Sequence, residues 1–320
     1  MKYNLAVDCG GTKVAGILYD DQYRPVKACQ VGSIRTTSMP PEYIEKNIRE
    51  FVSSMALDGM TIGHFSGVLC SSRLIQALQE TCTIEHTEHL GETPVGLAAC
   101  GLREGYLAVA GTGATLGCLW KEKSYAVGGY GAVVFDGGSG YWIAREAMTA
   151  AIGDTDQWGP KTLLTELIAK KFGHPREEFR QAIYSIYDRK GIPPITSITA
   201  CAPLVSEAAA QGDQIAYDIL LRAARLLAAQ TASLRKLHHL PADLPVAVSG
   251  GVWKGHPVIF EEYCRSLQEA GFTGPFLLPE VDPVVGVILF QYLKNHETLS
   301  DGDRAHFRQL YKDYLFTQRR

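Results

Sequence analysis

The sequence lacks the features of membrane, nucleic-acid-binding and disordered proteins. No apolar run approaches the roughly 18–20 residues that cross a bilayer, and Asp8 interrupts the short run at the N-terminus, so no secretory signal is predicted. Lys and Arg number 31 against 34 Asp and Glu, so no basic excess is present to bind a nucleic-acid backbone. Hydrophobic residues make up 46% of the chain, as in ordinary globular proteins. We therefore expect a cytoplasmic protein with neither membrane nor nucleic-acid partners.

Paired cysteine spacings are also missing. The eight cysteines include no CxxC motif and no clustered spacing. A zinc or iron–sulfur site needs thiolates that converge, which usually shows as short paired spacings. Buried, reduced thiols are the expected state of these residues in the cytosol.

The pattern of strands and helices occurs twice. At roughly 100–200 residues per domain, 320 residues correspond to about two domains. The first hundred residues alternate as strand, strand, strand, helix, strand, helix, strand, helix, and a similar order begins again near residue 105. The predicted strands are 3–8, 13–19, 25–31, 63–70, 83–87, 106–110, 114–120, one near 125, and 245–249. The predicted helices are 41–57, 72–80, 93–100, one from 139, most of 160–240, 256–270, 283–294 and 301–317.

Glycine is abundant, with 32 residues, and several clusters follow predicted strands. The turn Asp8-Cys9-Gly10-Gly11-Thr12-Lys13 joins two strands, so it is neither a Walker A loop nor a Rossmann fingerprint, both of which lead into a helix. A hairpin of this kind can bind phosphate through its amides and the Thr12 hydroxyl, and Asp8 can hold Mg²⁺ through water. A plain tight turn is an equal alternative for one hairpin. The second hairpin, Gly111-Thr112-Gly113, favours the phosphate interpretation.

Four glycine-containing motifs follow one another along the chain. They are the two hairpins, Gly128-Gly129-Tyr130-Gly131 followed by Asp136-Gly137-Gly138-Ser139, and Ser249-Gly250-Gly251-Val252-Trp253-Lys254. Their order resembles that of the sugar kinase, actin and heat-shock ATPase superfamily. Within it, the chain resembles the N-acetylglucosamine kinases and the BadF/BadG/BcrA/BcrD ATPase family. The resemblance covers residues 5–290.

The resemblance implies an α/β fold of duplicated ribonuclease-H-like (actin-like ATPase) domains with a nucleotide cleft between them. We expect an N-terminal domain over 1–104, to which a helix near 283–296 can add. A second domain with a helical insertion is expected over 105–282, and a C-terminal helix over 297–320. The residues that this resemblance assigns to ATP are Asp8, Gly10, Gly11, Thr12, Lys13, Gly111, Thr112, Gly113, Gly250, Gly251 and Trp253. Trp253 is equally well interpreted as a core aromatic residue.

The substrate side departs from the family pattern. Kinases of this type carry an Asp as general base after the last strand of the first half, and Glu92 occupies that position here. Asp136 matches an acidic residue near substrate or metal, but the usual Asp-Glu-Gly-Ser reads Asp-Gly-Gly-Ser. The loop matching 32–37 has no Asn and offers Arg35, which can pair with a substrate anion, although a surface arginine is the more common role. The expected substrate-binding residues are Arg35, Gly129, Tyr130, Gly131 and Asp136.

These residues imply an ATP- and Mg²⁺-dependent phosphotransferase acting on a sugar hydroxyl, most simply of an N-acetylglucosamine-type amino sugar. Two alternatives stay open at this point. One is an ATP- or sugar-binding sensor without efficient turnover, which Glu92 in place of Asp favours. The other is an ATPase activator of a redox enzyme, which needs cysteines for a cluster shared between subunits. A homodimer with a small-molecule sugar substrate is expected.

Overall fold

The computed structural model describes residues 2–36, 39–188 and 193–318, and it contains two five-stranded sheets with helices around them. The strands, numbered β1 to β10, are Tyr3–Cys9, Lys13–Asp20, Pro25–Gly32, Thr61–Val68, Thr83–Leu90, Gly105–Ala110, Ala114–Trp120, Lys123–Gly128, Val246–Ser249 and Phe276–Leu277. The helices, numbered α1 to α12, are Pro41–Met55, Ser72–Gln79, Glu92–Ala98, Gly140–Thr155, Leu164–Lys171, Phe179–Asp188, Pro194–Thr199, Ala202–Ala210, Gln214–His238, Val258–Glu269, Pro283–Asn295 and Asp301–Leu310.

The two sheets share one strand order, which confirms the predicted duplicated α/β fold. The first sheet runs β3-β2-β1-β4-β5, and the second, taken from its other edge, runs β8-β7-β6-β9-β10. In each sheet three consecutive strands are followed by two strands that enter after intervening helices. In the first sheet β1 and β2 pair antiparallel, whereas β1, β4 and β5 pair in parallel. The parallel pairs need crossover connections, and α1 and α2 provide them.

The first sheet is covered on both faces, and successive side chains of β1 pack against opposite faces. Leu5, Val7 and Cys9 belong to a buried cluster that includes side chains of α1 and α2. Ala6 belongs to the opposite cluster, which includes side chains of α3, α11 and α12. Because successive side chains of a strand point to opposite faces, Asp8 lies on the Ala6 side, toward the helices α3 and α11.

The chain divides into two compact units. The first contains Met1–Leu107, Leu119–Ser124 and Leu277–Phe316, and the second contains Ala108–Cys118, Tyr125–Phe276 and Thr317–Arg320. The helices α11 and α12 therefore group with the N-terminal sheet. The predicted domain limits at residues 104 and 282 stay predictions, because compact units need not coincide with duplicated domains.

Several element ends differ from the sequence prediction by two residues or more, and two of them have an identifiable cause in the structure. The strand expected to reach Cys70 ends at Val68, since Leu69 adopts a left-handed conformation with φ of 54°. The helix expected to run to residue 317 ends at Leu310, and a 3₁₀ turn follows over Lys312–Tyr314. Tyr311 is buried there, and its hydroxyl donates to the Tyr23 carbonyl at 2.6 Å, which ties the turn to the first sheet. None of the helices in the described ranges is long and apolar enough to span a membrane.

Candidate functional site

The first glycine turn is a tight hairpin between β1 and β2, with Cys9 paired to Val14. A buried serine outside the turn fixes its backbone. Ser33 is fully buried, and its hydroxyl donates to the Gly10 carbonyl at 2.9 Å. The hairpin therefore has a defined position that depends on the loop after β3.

The loop after β3 is fixed in turn by helix α1. The Asn47 side-chain amide donates to the Ser33 carbonyl at 2.8 Å, and the Arg35 amide donates to the Ser33 hydroxyl at 3.2 Å. A Cβ on Gly32 would lie 2.6 Å from the Asn47 amide nitrogen, so the glycine makes room for this contact. Ser33 thus joins the first hairpin to the backbone that carries Arg35. Thr37, the last residue of the predicted substrate loop, lies outside the described residues.

Asp8 lies at the end of β1 in an acidic environment. Burial raises the pKa of its carboxyl to about 7, and the charge of Glu92 contributes in the same direction. The Lys13 ammonium lowers the pKa, and Asp282, which precedes α11, raises it further. At neutral pH this carboxyl is therefore partly protonated, and a bound cation would favour its charged form.

Glu92 is the first residue of α3 and follows the end of β5 at Leu90 by two residues. It is partly buried, and burial raises the pKa of its carboxyl, while the Arg35 guanidinium lowers it. A raised pKa brings a carboxylate closer to the range in which it accepts a proton efficiently at neutral pH. The first unit thus brings together Asp8, Lys13, Arg35 and Glu92, four residues that the sequence assigned to the site.

The second glycine hairpin, between β6 and β7, is held by the start of helix α4. The Gly140 amide donates to the Gly111 carbonyl at 2.7 Å, and the Tyr141 amide donates to the Thr112 carbonyl at 3.3 Å. The Gly111 amide donates across the turn to the Gly113 carbonyl at 2.9 Å. A phosphate at this hairpin would therefore rely on donors other than the Gly111 amide, including the Thr112 hydroxyl.

Asp136 lies against this second hairpin. A Cβ on Gly113 would come within 2.4 Å of the Asp136 Oδ2, so only glycine leaves space for the carboxylate. Burial raises the pKa of Asp136, and backbone amides, that of Ala114 foremost, lower it in part. Asp136 is 5% exposed, and its Oδ1 is buried without a hydrogen-bond partner among the described residues. An unpaired buried carboxylate oxygen is costly, which is typical of an atom that meets a ligand.

The glycine-rich segment before Asp136 is exposed. Gly129 and Gly131 have φ of 72° and 94°, which L side chains rarely adopt. Tyr130 between them is 76% exposed, so its ring is presented to solvent. The side-chain amide of Gln230, on α9, donates to the Gly137 carbonyl at 3.1 Å and holds the end of this segment.

The turn after β9 has one essential glycine and one buried tryptophan. Gly250 has φ of 105°, and a Cβ there would lie 2.3 Å from the Ala110 carbonyl oxygen. At Gly251, by contrast, a Cβ would meet nothing within 4 Å. Trp253 is 1% exposed, and its indole nitrogen donates to the Ala108 carbonyl at 3.0 Å. The structure therefore places Trp253 in the core beside Tyr263. This position agrees with the interpretation of Trp253 as a core aromatic residue, and its ring is not open to an adenosine.

Sequence reasoning missed Ser33, Asn47, Asp282 and Gln230. Asn47 carried a detectable signal, because it is a polar residue on the apolar face of α1 beside Ile48 and Phe51. Within the ranges described, no three His, Cys, Asp or Glu side chains form a group that could hold a metal ion by themselves. A cation here would need further ligands such as water or phosphate, which is how Mg²⁺ is usually bound.

The family follows from comparison with known proteins. The model of the BadF/BadG/BcrA/BcrD ATPase family matches residues 5–290. The chain belongs to this ATPase family. The resemblance inferred from the four glycine motifs is thereby confirmed.

Two curated relatives of this ATPase are named as sugar kinases. The N-acetyl-D-glucosamine kinase of Dictyostelium discoideum is 26% identical over 312 residues, which cover 89% of this chain and 96% of the relative. The N-acetylmuramic acid/N-acetylglucosamine kinase of Clostridium acetobutylicum is 26% identical over 284 residues, which cover 83% of this chain and 90% of the relative.

Solved structures support the fold. A candidate N-acetylglucosamine kinase from Chromobacterium violaceum superposes with a TM-score of 0.67 at 19% identity, covering 91% of this chain and 99% of that one. A ROK family glucokinase from Streptomyces griseus has a TM-score of 0.54 at 18% identity, and the match covers 91% of this chain and 98% of that one. At these identities the similarity establishes a shared fold.

Proposed function

We propose that this ATPase transfers the γ-phosphoryl group of ATP to a hydroxyl of an N-acetylglucosamine-type sugar. The observation that carries the proposal is Glu92, a partly buried carboxyl of raised pKa beside Arg35 and Asp8, at the position where this kinase class has its base. The names of the two curated relatives support the choice of an amino sugar.

ATP binding is proposed for the two hairpins and the turn after β9. In the first unit, Gly10, Gly11, Thr12 and Lys13 supply amides, a hydroxyl and a positive charge for phosphate oxygens. In the second unit, Thr112 supplies a hydroxyl at a hairpin whose shape depends on Gly111 and Gly113. Gly250 and Gly251 flank the adenosine in this proposal, and Trp253 supports them from the core.

Glu92 is the proposed general base. Its carboxylate takes the proton from the acceptor hydroxyl while that oxygen attacks the γ-phosphorus, the bond to the β,γ-bridging oxygen breaks, and ADP leaves. The Arg35 guanidinium acts against the pKa increase that burial causes, and so it favours the charged form of the Glu92 carboxylate. A carboxylate with a raised pKa has a higher proton affinity, which suits it to accept the proton of the acceptor hydroxyl.

Asp136 is proposed to orient the acceptor. Its buried, unpaired Oδ1 is suited to accept a hydrogen bond from a sugar hydroxyl. Gly129, Tyr130 and Gly131 lead into Asp136 and are proposed to contact the same substrate.

The acidic surroundings of Asp8 fit a magnesium ion. Glu92 and Asp282 both raise the pKa of Asp8, and a divalent cation would relieve this repulsion. Asp8 would hold Mg²⁺ through water, and the ion would supply charge neutralisation for the phosphate oxygens of ATP.

Arg35 indicates which kind of sugar the site accepts. Its guanidinium is suited to a carboxylate or phosphate on the sugar. The Clostridium relative is named for an acidic sugar as well as for N-acetylglucosamine. We therefore include acidic N-acetylhexosamines in the proposed substrate class.

The test is ATP-dependent phosphorylation across a panel of hexoses, N-acetylhexosamines and N-acetylmuramic-type sugars, followed as ADP formation and as phosphosugar mass. The expected result is turnover that requires an N-acetylhexosamine. Sugar and ATP binding without ADP formation would instead identify a sensor, the alternative that Glu92 in place of Asp favours. A cytoplasmic location and a homodimer are part of this proposal, and size-exclusion chromatography with light scattering tests the dimer.

A further inference from the structure

Two thiols face each other at the base of the first hairpin. The sulfur atoms of Cys9 and Cys70 lie 3.2 Å apart, at hydrogen-bond distance. Cys9 is the last residue of β1, and Cys70 lies two residues beyond β4, its parallel neighbour in the sheet. Neighbouring strands lie about 4.8 Å apart, which is compatible with the separation that a disulfide requires.

The surroundings are shaped for this pair. A Cβ on Gly67 would lie 2.5 Å from the Cys70 sulfur, so the absence of a side chain at Gly67 leaves room for this sulfur. Cys9 is fully buried, whereas Cys70 is partly exposed. Cys70 is therefore the more accessible residue of the pair, which suits it to be the attacked cysteine, and Cys9 lies beside it in the position of a resolving cysteine.

We propose that Cys9 and Cys70 are a redox modification site that closes to a disulfide on reaction with a peroxide. The Cys70 thiolate attacks a peroxide oxygen, the O–O bond breaks, and a sulfenic acid forms with release of hydroxide. The Cys9 thiolate then attacks the Cys70 sulfur, the S–S bond forms, and the sulfenic hydroxyl leaves as water after protonation. In sum, the two thiols lose two electrons to hydrogen peroxide and two waters are produced.

The reaction is expected to be slow at neutral pH. The hydrogen bond with Cys9 and burial both raise the pKa of Cys70, so little thiolate is present.

Closing the disulfide would alter the first hairpin. The sulfurs must approach by about 1.2 Å to reach a bond length of about 2.05 Å. Cys9 lies directly between Asp8 and Gly10, whose carbonyl is fixed by Ser33, so the displacement acts on the residues proposed for phosphate and Mg²⁺. We expect weaker ATP binding in the oxidised protein. This consequence rests on the proposed function, whereas the disulfide itself does not.

The experiment exposes the full chain to hydrogen peroxide and maps disulfide-linked peptides without reduction. A Cys9–Cys70 peptide is expected in the wild type and in Cys29→Ser, a matched variant of another partly exposed thiol in the first unit. Cys70→Ser should keep ATP binding in the reduced state and form no linked peptide. Oxidation should weaken ATP binding by at least about tenfold in the wild type, and a thiol reductant should restore it.

Two results would overturn the proposal. Absence of the linked peptide, with Cys70 oxidised to sulfinic acid or unmodified, would exclude the disulfide. A linked peptide with unchanged ATP affinity would exclude its effect on the hairpin. If the reduced wild type binds no ATP, the proposed function fails, and peptide mapping still decides whether the disulfide forms.

Discussion

Replacing Asp8 with Asn is expected to stabilise the ligand-free protein at high pH. In the folded chain the pKa of Asp8 is raised from 3.8 to about 7, so the folded state holds a proton that the unfolded state has lost. Between these two pKa values the free energy of unfolding therefore falls as the pH rises. A difference of about 3 units at 1.36 kcal/mol per unit gives an upper limit of about 4 kcal/mol, reached above pH 7 and absent below about pH 4.

The assay is urea unfolding of wild type and Asp8→Asn at about pH 5 and about pH 8.5. Because Asn carries no charge, the variant should gain stability over the wild type at the higher pH and much less at the lower one. Asp21→Asn, at an exposed turn residue of the same unit, serves as the control and should show no such difference. Equal effects of Asp8→Asn at both pH values, or destabilisation at the higher pH, would refute the raised pKa.

Three further substitutions and one control variant test the two hairpins and the turn after β9. The Gly111→Val variant should fold, since a Cβ at this position meets nothing within 4 Å. It should nevertheless bind ATP at least about tenfold more weakly when measured by calorimetry. Unchanged ATP affinity would exclude the second hairpin from the ATP site. Gly250→Ala should lower the free energy of unfolding by at least about 2 kcal/mol, because a Cβ there meets a carbonyl oxygen at 2.3 Å, whereas Gly251→Ala should be nearly neutral. Ser33→Ala leaves the Gly10 carbonyl without its donor, so ΔG‡ for kcat/KM with ATP should rise by about 1–2 kcal/mol. A kcat/KM for ATP equal to that of the wild type would contradict this.

The fold was largely predictable because its signals are local. Alternating apolar residues, glycine turns and helical spacing predicted the order of strands and helices, and the four glycine motifs identified the family. The end of β4 was misplaced because the left-handed conformation of Leu69 depends on tertiary context, not on its residue type. Likewise, Tyr311 ends the C-terminal helix region through a hydrogen bond to a residue 288 positions away.

The site was predictable only in part, because several of its contacts join distant residues. The positions of Asp8 and Lys13 followed from the ends of predicted strands, whereas Glu92 was located by its spacing from Gly111 and the resemblance to the family. The roles of Ser33 and Asn47 depend on where the loop after β3 meets the first hairpin and α1, which residue spacing does not indicate.

The contact between Cys9 and Cys70 could not be predicted from the sequence either. The two residues are 61 positions apart, so their contact follows from strand order and not from any motif. Trp253 shows the opposite case, since a residue in a recognised motif serves the core instead of presenting its ring to a ligand.

The central claim is tested most directly by phosphate transfer from ATP to N-acetylglucosamine in wild type and Glu92→Gln. Mass spectrometry of the sugar and ADP measurement should show one phosphosugar for each ADP formed by the wild type. Glu92→Gln keeps the size of the side chain and removes its basicity, so kcat should fall by roughly 10²–10⁴-fold while ATP affinity stays nearly unchanged. Full activity of Glu92→Gln would move the base to Asp136, and absence of any phosphosugar across the acceptor panel would contradict the kinase assignment.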